Sequence, residues 1–172
     1  PHQDLRDLWR FIVGGGLCRT SIGVAIYNQE FISTHYDRPL NDFGGVDEDG
    51  APLGSNVSFD YRMDTVSFVL AYPLNCCHSI GLGINLNVAS FRVSGLENLR
   101  NYSVQPNFVT NNGTAWSTGA GVTVGWLGQL CPGFTMGVSY ISASTLSGLH
   151  GYEGVLPLHN RVEMHNIWEI GI

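Results

Sequence analysis

The pattern that most constrains this chain is a strict alternation of large apolar residues with small or polar residues between positions 79 and 93. The two sets are Ile80, Leu82, Ile84, Leu86 and Val88, and Gly81, Gly83, Asn85, Asn87 and Ala89. A period of two is that of a β-strand, whose successive side chains point to opposite faces of the sheet. The segment therefore predicts a strand with one large apolar face.

The same alternation recurs along the chain and predicts about seven strands. In the segment 57–72 the parity of the apolar residues flips between Met63 and Val66, which predicts a β-bulge. Helical periodicity is weak, and only the opening Asp4–Trp9 resembles the start of a short helix. The other predicted strands are 8–13, 22–27, 116–126, 134–140 and 162–170.

The segments between these strands are of two kinds. Short connectors at 14–19, 73–78 and 129–133 alternate with long ones at 28–56, 94–114 and 145–160. Short turns at one end and long loops at the other are typical of an up-and-down outer-membrane barrel. We therefore expect residues 1–172 to form a single all-β domain, an antiparallel transmembrane β-barrel or a large fragment of one.

The composition favours lipid on the apolar side of these strands. Hydrophobic residues make up 44% of the chain and charged residues only 13%, and the second strand face carries glycine, serine, asparagine and threonine. An exposed sheet in water usually carries lysine and glutamate instead. Tyr72, Trp116, Trp126 and Tyr140, near the strand ends, fit interfacial aromatic girdles. The alternative is a soluble β-sandwich in which these faces pack together.

The charged residues exclude several functions. All eight basic residues are arginine and the net charge is −6, so lysine Schiff-base chemistry, a Walker lysine and nucleic-acid binding are not expected. No window of about 18 residues is apolar throughout, which excludes a helical membrane span. The chain has no Gly-x-Ser-x-Gly elbow. We expect no enzyme activity and no cofactor, and a lipid-modifying enzyme would need a serine and a histidine that meet in space.

Several ordered segments resemble the outer-membrane long-chain fatty acid transporter (FadL-like) family, over roughly residues 20–172. They are SIGVAIYN (21–28), VSFVLAYPL (66–74), SVQPNFVTNNG (103–113), STGAGVTVGWLGQL (117–130), PGFTMGVSY (132–140) and SGLHGYEGVL (147–156). The resemblance implies a barrel of about fourteen strands with an N-terminal hatch that carries hydrophobic molecules across the outer membrane.

This sequence departs from that family in two respects. No segment before Leu8 resembles the hatch, so the hatch residues that contact ligand are not carried over, and the chain ends within a strand pattern. We expect part of a longer barrel chain. The alternative is a small barrel of about eight strands.

The four cysteines fall in the short connectors, at one predicted periplasmic rim. Four cysteines allow three pairings, and oxidised cross-links between neighbouring turns would fit an oxidising compartment. Free thiols or bonds to another envelope protein are the alternatives. The disulfide candidates are Cys18, Cys76, Cys77 and Cys131.

Polar side chains on the small-residue face are candidates to line the lumen. They are Asn85, Asn87, Thr123, Ser139, Glu163, His165 and Glu169. His159, Glu163 and His165 together suggest metal ligands, but polar residues of a lumenal strand are the preferred interpretation, and no metal site is predicted. The acidic run Asp47–Asp49 is interpreted as a solvated loop tip, with calcium binding as the alternative.

The function expected from these features is passive uptake of hydrophobic small molecules, such as long-chain fatty acids or aromatic hydrocarbons, through a bacterial outer membrane. The partners would be the ligand, outer-membrane lipid and lipopolysaccharide. The alternative is a small structural barrel or adhesin that is cross-linked through its rim cysteines. Exposed apolar residues of the last long loop would capture the ligand, namely Leu149, Tyr152, Val155 and Leu156.

Overall fold

Strands make up most of the chain that the structure describes. The structure is a computed structural model and describes residues 2–3, 10–17, 20–39, 56–156 and 162–172. Two short 3₁₀ helices, Glu97–Tyr102 and Pro106–Phe108, lie in one long connection. The strands are β1 (His2–Gln3), β2 (Arg10–Leu17), β3 (Thr20–Pro39), β4 (Asn56–Pro73), β5 (His78–Ser94), β6 (Ala115–Cys131), β7 (Phe134–Ile141), β8 (Ser144–Thr145), β9 (Glu163–Met164) and β10 (Ile167–Gly171).

The main sheet is an antiparallel meander. Strands β2, β3, β4, β5, β6, β7 and β10 pair in that order, β1 pairs with β3 beside β2, and β8 pairs with β9 in a separate small sheet. The predicted all-β, antiparallel, up-and-down arrangement of about seven strands is confirmed. Within the described residues no pairing joins β2 to β10, so this sheet is open rather than closed into a barrel.

Strand β3 continues far beyond the predicted segment 22–27. It runs to Pro39, so the prediction that 28–56 is wholly a loop is wrong for residues 28–39. The register against β4 shifts between Asn28 and Glu30, which leaves Gln29 as the extra residue of a β-bulge. Beyond a bulge, the residues that face inward change from odd-numbered to even-numbered ones, or the reverse. Simple alternation therefore ends at the bulge although the strand continues.

Strand β4 has no bulge where one was predicted. Its register against β5 is continuous from Ser58 to Pro73. What changes between Met63 and Val66 is the chemistry of the two faces, because Met63 lies on the buried face and Val66 on the opposite one. The apparent flip arises because the buried face is apolar at one end of the strand and polar further along.

The predicted final strand 162–170 is interrupted at 165–166. Its first part turns aside as β9, where Met164 pairs with Ser144 of β8. Met164 is buried in the apolar core. Alternation along one continuous strand 162–170 predicts Met164 on the same outward face as Trp168, and this prediction is wrong. Trp168, on β10, lies against Tyr140 of β7, with ring centroids 4.7 Å apart.

The outward face of the sheet carries an apolar band that we call the outer belt. It consists of even-numbered residues, of which Ile80, Leu82 and Ile84 are 44%, 60% and 56% exposed. The register aligns its members in rows across neighbouring strands. One such row is Ile22, Leu70, Leu82, Val124, Tyr140 and Trp168. The belt comprises the even-numbered residues of Ile22–Ile26, Val66–Tyr72, Ile80–Val88, Ala120–Trp126, Val138–Tyr140 and Trp168–Ile170.

The odd-numbered residues of β4 and β5 face the opposite side, which we call the inner face. Toward the long loops this face is apolar, with Met63 and Phe91 buried. The connection after β7 folds onto it, and Leu146, Leu149 and Tyr152 become fully buried there. We call residues 142–156 the inner loop.

The inner loop corrects one expectation. Leu149 and Tyr152 were expected to be exposed, but both are 0% exposed, whereas Val155 is 37% exposed and Leu156 packs against the core. The physical reason is that the apolar side chains at the loop end of the inner face, such as Met63 and Phe91, are more stable when they are removed from water. The loop covers them with its own large side chains.

Tyr152 fixes the inner loop to the sheet. Its ring meets that of Phe91 edge to face at 5.0 Å between centroids, and its hydroxyl oxygen accepts a hydrogen bond from the Val93 N–H at 3.3 Å. The same hydroxyl lies within reach of the Gly113 carbonyl. Gly119 lies beneath the loop, where an added Cβ would lie 3.2 Å from Leu146 Cγ.

We expect Tyr152→Phe to lower the free energy of unfolding by about 1–3 kcal/mol, because the Gly113 and Val93 groups lose a buried partner. Chemical denaturation of the two proteins measures the difference. Tyr36→Phe, at an exposed tyrosine of β3, is the matched control and should change stability far less. Equal effects of the two substitutions would contradict the buried position of Tyr152.

Candidate functional site

A row of buried polar side chains crosses the inner face next to the apolar core. Thr65 Oγ1 lies 2.9 Å from Gln29 Oε1 and 2.8 Å from Asn87 Oδ1, and Asn87 Nδ2 donates to Ser144 Oγ at 2.9 Å. Thr65 and Asn87 are each 1% exposed. These four residues link β3, β4, β5 and the inner loop by side-chain hydrogen bonds. We call them the first ladder.

A second ladder lies one pair of residues closer to the short turns. Ser67 Oγ donates to Asn85 Oδ1 at 2.7 Å, and Asn85 Nδ2 donates to Thr123 Oγ1 at 2.6 Å. The continuous β4–β5 register places Thr65 opposite Asn87 and Ser67 opposite Asn85. Burying a polar group without a hydrogen-bond partner lowers the stability of the fold. The two ladders supply such partners, so polar side chains can be buried on the inner face.

The bulge places Gln29 at the centre of this network. An extra residue in a strand redirects its side chain. Here it lets Gln29 reach both Thr65 of β4 and Met164 of β9, with Gln29 Nε2 3.0 Å from Met164 Sδ. Gln29 therefore connects the sheet wall to the segment that enters the interior after the inner loop.

A cavity of about 310 Å³ lies beside the ladders, and we call it the inner cavity. Its wall includes Ile12 of β2 and Ile167 of β10, which are the two edges of the main sheet, together with Ser67 from the middle of the sheet. The sheet must therefore curve strongly, since residues of both edges line one space. Its wall mixes apolar with polar groups, including Ala25, Tyr27, Ile141, Gln29, Thr123 and Glu169.

A second cavity of about 230 Å³ lies toward the long loops, and we call it the loop-end cavity. It shares Gln29 and Ile167 with the inner cavity. Tyr61 and Met63 of β4 form one wall, and residues 162–165 form the other. Gln29, the bulge residue, therefore borders both cavities.

The structure places the predicted lumen residues in three groups. Asn85, Asn87 and Thr123 belong to the ladders on the inner face. Ser139 Oγ donates to Glu169 Oε2 at 2.9 Å, and Glu169 borders the inner cavity. Glu163 and His165 are exposed and border the loop-end cavity.

The inner loop also carries an acid held by local hydrogen bonds. Glu153 Oε2 accepts from the Gly151 N–H at 2.9 Å, and its other oxygen lies 3.3 Å from His150 Nδ1. Burial acts to raise the pKa of Glu153, but the backbone N–H groups of Glu153 and Gly151, together with His150, lower it overall. The carboxylate therefore stabilises the turn at neutral pH, and this contribution is lost as the pH falls through the lowered pKa.

The cysteines do not form the expected cross-links in the described part of the chain. Cys76 and Cys77, in the β4–β5 turn, and Cys131, at the end of β6, are exposed free thiols at the same end of the strands. The Sγ atoms of Cys76 and Cys77 lie 3.4 Å apart, well beyond the disulfide bond length of about 2.05 Å. The hydrogen bond between the two thiols, followed by the electrostatic repulsion from Cys76, raises the pKa of the Cys77 thiol. Cys18, His159, Asp47–Asp49 and the segment 4–9 lie outside the described residues.

Several residues of this site were not identified from the sequence. Thr65 and Ser67 are absent from the predicted lumen residues, and Gln29 falls in a segment predicted to be a loop. Ser144 reaches Asn87 only because the inner loop folds inward. A usable signal was the polar pair Thr65 and Ser67, which occurs two residues apart, as do Asn85 and Asn87 on the next strand.

Comparison with protein-family models, with curated proteins and with solved structures finds no match. The family resemblance therefore stays a prediction. Among the described residues, no helix is long and apolar enough to cross a membrane. The same residues contain no cluster of three or more histidine, cysteine or acidic side chains that could hold a metal ion.

We expect Asn87→Ala to lower the free energy of unfolding by about 1–3 kcal/mol, because buried Ser144 loses its donor and Thr65 loses one partner. Urea unfolding measures the change. Asn101→Ala, at an exposed residue, is the control and should stay close to the parent. A negligible effect of Asn87→Ala would show that water replaces the first ladder.

Proposed function

We propose that this chain forms part of the wall of a bacterial outer-membrane β-barrel through which hydrophobic small molecules pass without chemical change. The observation that carries the proposal is the outer belt, because its apolar side chains face outward while the hydrogen-bonded polar ladders face inward. Water-soluble barrels and sandwiches have the opposite distribution.

The extent of the belt supports a membrane location. On β5 the outward apolar residues run from Ile80 to Val88, a stretch of nine residues. A tilted strand needs about 9–11 residues to cross the hydrocarbon layer. Beyond Val88 the same face becomes polar, with Ser90 and Arg92 on β5.

Aromatic residues lie at the margins of the belt. Tyr72 and Trp126 lie in one row near the short turns, and Trp116 lies near the opposite end of β6, 64% exposed. Trp and Tyr prefer the two membrane–water interfaces because their rings are amphipathic. Their positions fit a belt bounded on both sides by headgroups.

The interior supports passage of an amphipathic or apolar molecule. The ladder side chains satisfy one another, so they do not require bulk water in the lumen. Ile12, Ile141 and Ile167 give the inner cavity apolar surface, and Gln29 borders both this cavity and the loop-end cavity. A ligand such as a long-chain fatty acid would follow this route past the inner loop toward the short turns.

We expect Leu82→Arg, in the middle of the belt, to lower the unfolding free energy in lipid vesicles by about 2–4 kcal/mol, because a charge enters the hydrocarbon. Ser90→Arg, on the same strand and face but beyond the belt, is the matched control and should cost about 0–1 kcal/mol. Urea titration of vesicle-embedded protein measures both. Equal costs for the two variants would refute a lipid-facing belt.

We expect Ala25→Trp to weaken binding of a fluorescent long-chain fatty acid about tenfold or more, equivalent to at least ~1.4 kcal/mol. The reason is that Ala25 lines the inner cavity and an indole would fill it. Ala120→Trp, on the outward face, is the control. Unchanged affinity in Ala25→Trp would place the binding site elsewhere, and no binding to the parent protein would overturn the transport proposal.

The exposed thiols favour a second candidate function, that of a structural barrel tied to other envelope proteins. Cys76, Cys77 and Cys131 all lie at one edge, where a partner thiol could reach them. Non-reducing electrophoresis of protein from intact envelopes distinguishes the candidates. A structural anchor predicts disulfide-linked species that Cys76→Ser, Cys77→Ser or Cys131→Ser removes, and a transporter predicts monomer throughout.

A further inference from the structure

The turn between β4 and β5 carries two adjacent thiols that neither the strand wall nor the cavities use. Cys76 and Cys77 are both exposed, and their sulfur atoms are in contact at 3.4 Å. No disulfide is formed among the described residues. Two thiols in direct contact at an accessible turn form a candidate modification site.

The turn is held by its own hydrogen bonds. Asn75 Oδ1 accepts from the N–H groups of both Cys77 and His78, at 2.9 and 2.8 Å. The Leu74 N–H donates to the His78 carbonyl at 2.8 Å. These bonds fix the backbone on both sides of the cysteines, so the contact between the two sulfur atoms is a property of the folded turn.

We propose that Cys76 and Cys77 form a reversible redox pair that closes into a disulfide between adjacent residues. In the closing step each thiol loses its proton, the new S–S bond forms, and two electrons pass to an oxidant of the small-molecule disulfide class. The oxidant's own S–S bond breaks, and it is released as two thiols. Exchange proceeds through a mixed disulfide on one cysteine, which the neighbouring cysteine then displaces.

The covalent geometry makes such a disulfide easy to reopen. Adjacent Cα atoms across a trans peptide lie about 3.8 Å apart, whereas disulfides usually join Cα atoms about 4.4–6.8 Å apart. The described chain has no cis peptide bond. A disulfide that departs from its preferred geometry is more readily reduced, and exposed or strained disulfides are the labile ones.

The pair is also better placed than an inter-turn cross-link. Cys131 ends β6 beside the neighbouring turn, but among the described residues the sulfur contact joins Cys76 to Cys77 alone. The backbone of the pair is coupled to the next strand, because the Cys77 carbonyl accepts from the Gln129 N–H at 2.7 Å. Closing the disulfide should therefore disturb the end of β6 as well as the turn.

The arrangement of arginines allows a direct test. Because the chain has no lysine, trypsin separates the cysteines into the peptides 11–19, 63–92 and 101–161. After incubation of the folded protein with oxidised glutathione, the free thiols are blocked with iodoacetamide before digestion. We expect peptide 63–92 to be unalkylated and lighter by two hydrogen atoms, and alkylated on both cysteines after reduced glutathione is added.

Matched variants test the pairing. Cys131→Ser should close as the parent does, whereas Cys77→Ser should leave Cys76 alkylatable or as a glutathione adduct. Amide hydrogen exchange gives an independent readout, since oxidation should lower protection at Gln129 in the parent and leave it unchanged in Cys77→Ser. Linkage of peptide 63–92 to 11–19 or 101–161, a stable glutathione adduct on the parent, or full alkylation after oxidation would each overturn the proposal.

Discussion

The structure depends on the continuous register between β4 and β5. Sixteen residue pairs from Ser58 to Pro73 are aligned without a shift. A slip of one residue would move Asn85 and Asn87 into the outer belt and turn Leu82 and Ile84 toward the ladders. Each such exchange would expose polar groups to the apolar side and bury large side chains among amides. The different chemistry of the two faces therefore stabilises this register over one shifted by a single residue.

The fold could be predicted largely from alternation, but the interior could not. Between 79 and 93 every second residue is apolar, so strand and face follow directly from the period of two. This reasoning fails at Gln29. The extra residue reverses which of the even- and odd-numbered residues face inward, although the backbone pairing of β3 with β4 continues. The same reasoning fails at Tyr152 for another cause. The sequence shows only an aromatic residue among glycines, and its ring contact with Phe91 is visible only in the tertiary structure.

The inner face combines two ways of filling a barrel-like interior. Toward the short turns, hydroxyl and amide groups bond to each other across strands, which keeps the wall polar at little cost in unpaired groups. Toward the long loops, Met63 and Phe91 are covered by Leu146, Leu149 and Tyr152. The change between the two explains why β4 seemed to reverse its pattern. The lining of the sheet changes along its length, while its geometry stays regular.

The number of strands in the meander has a consequence for its free edges. Each of the six successive pairings from β2 to β10 reverses the chain direction, so β2 and β10 run the same way. Direct pairing of these two edges would be a parallel ladder, with slanted hydrogen bonds, in an otherwise antiparallel wall. Antiparallel closure requires an odd number of further strands between them. The parity of the meander thus sets how many further strands an antiparallel closure of this sheet would need, independently of any side chain.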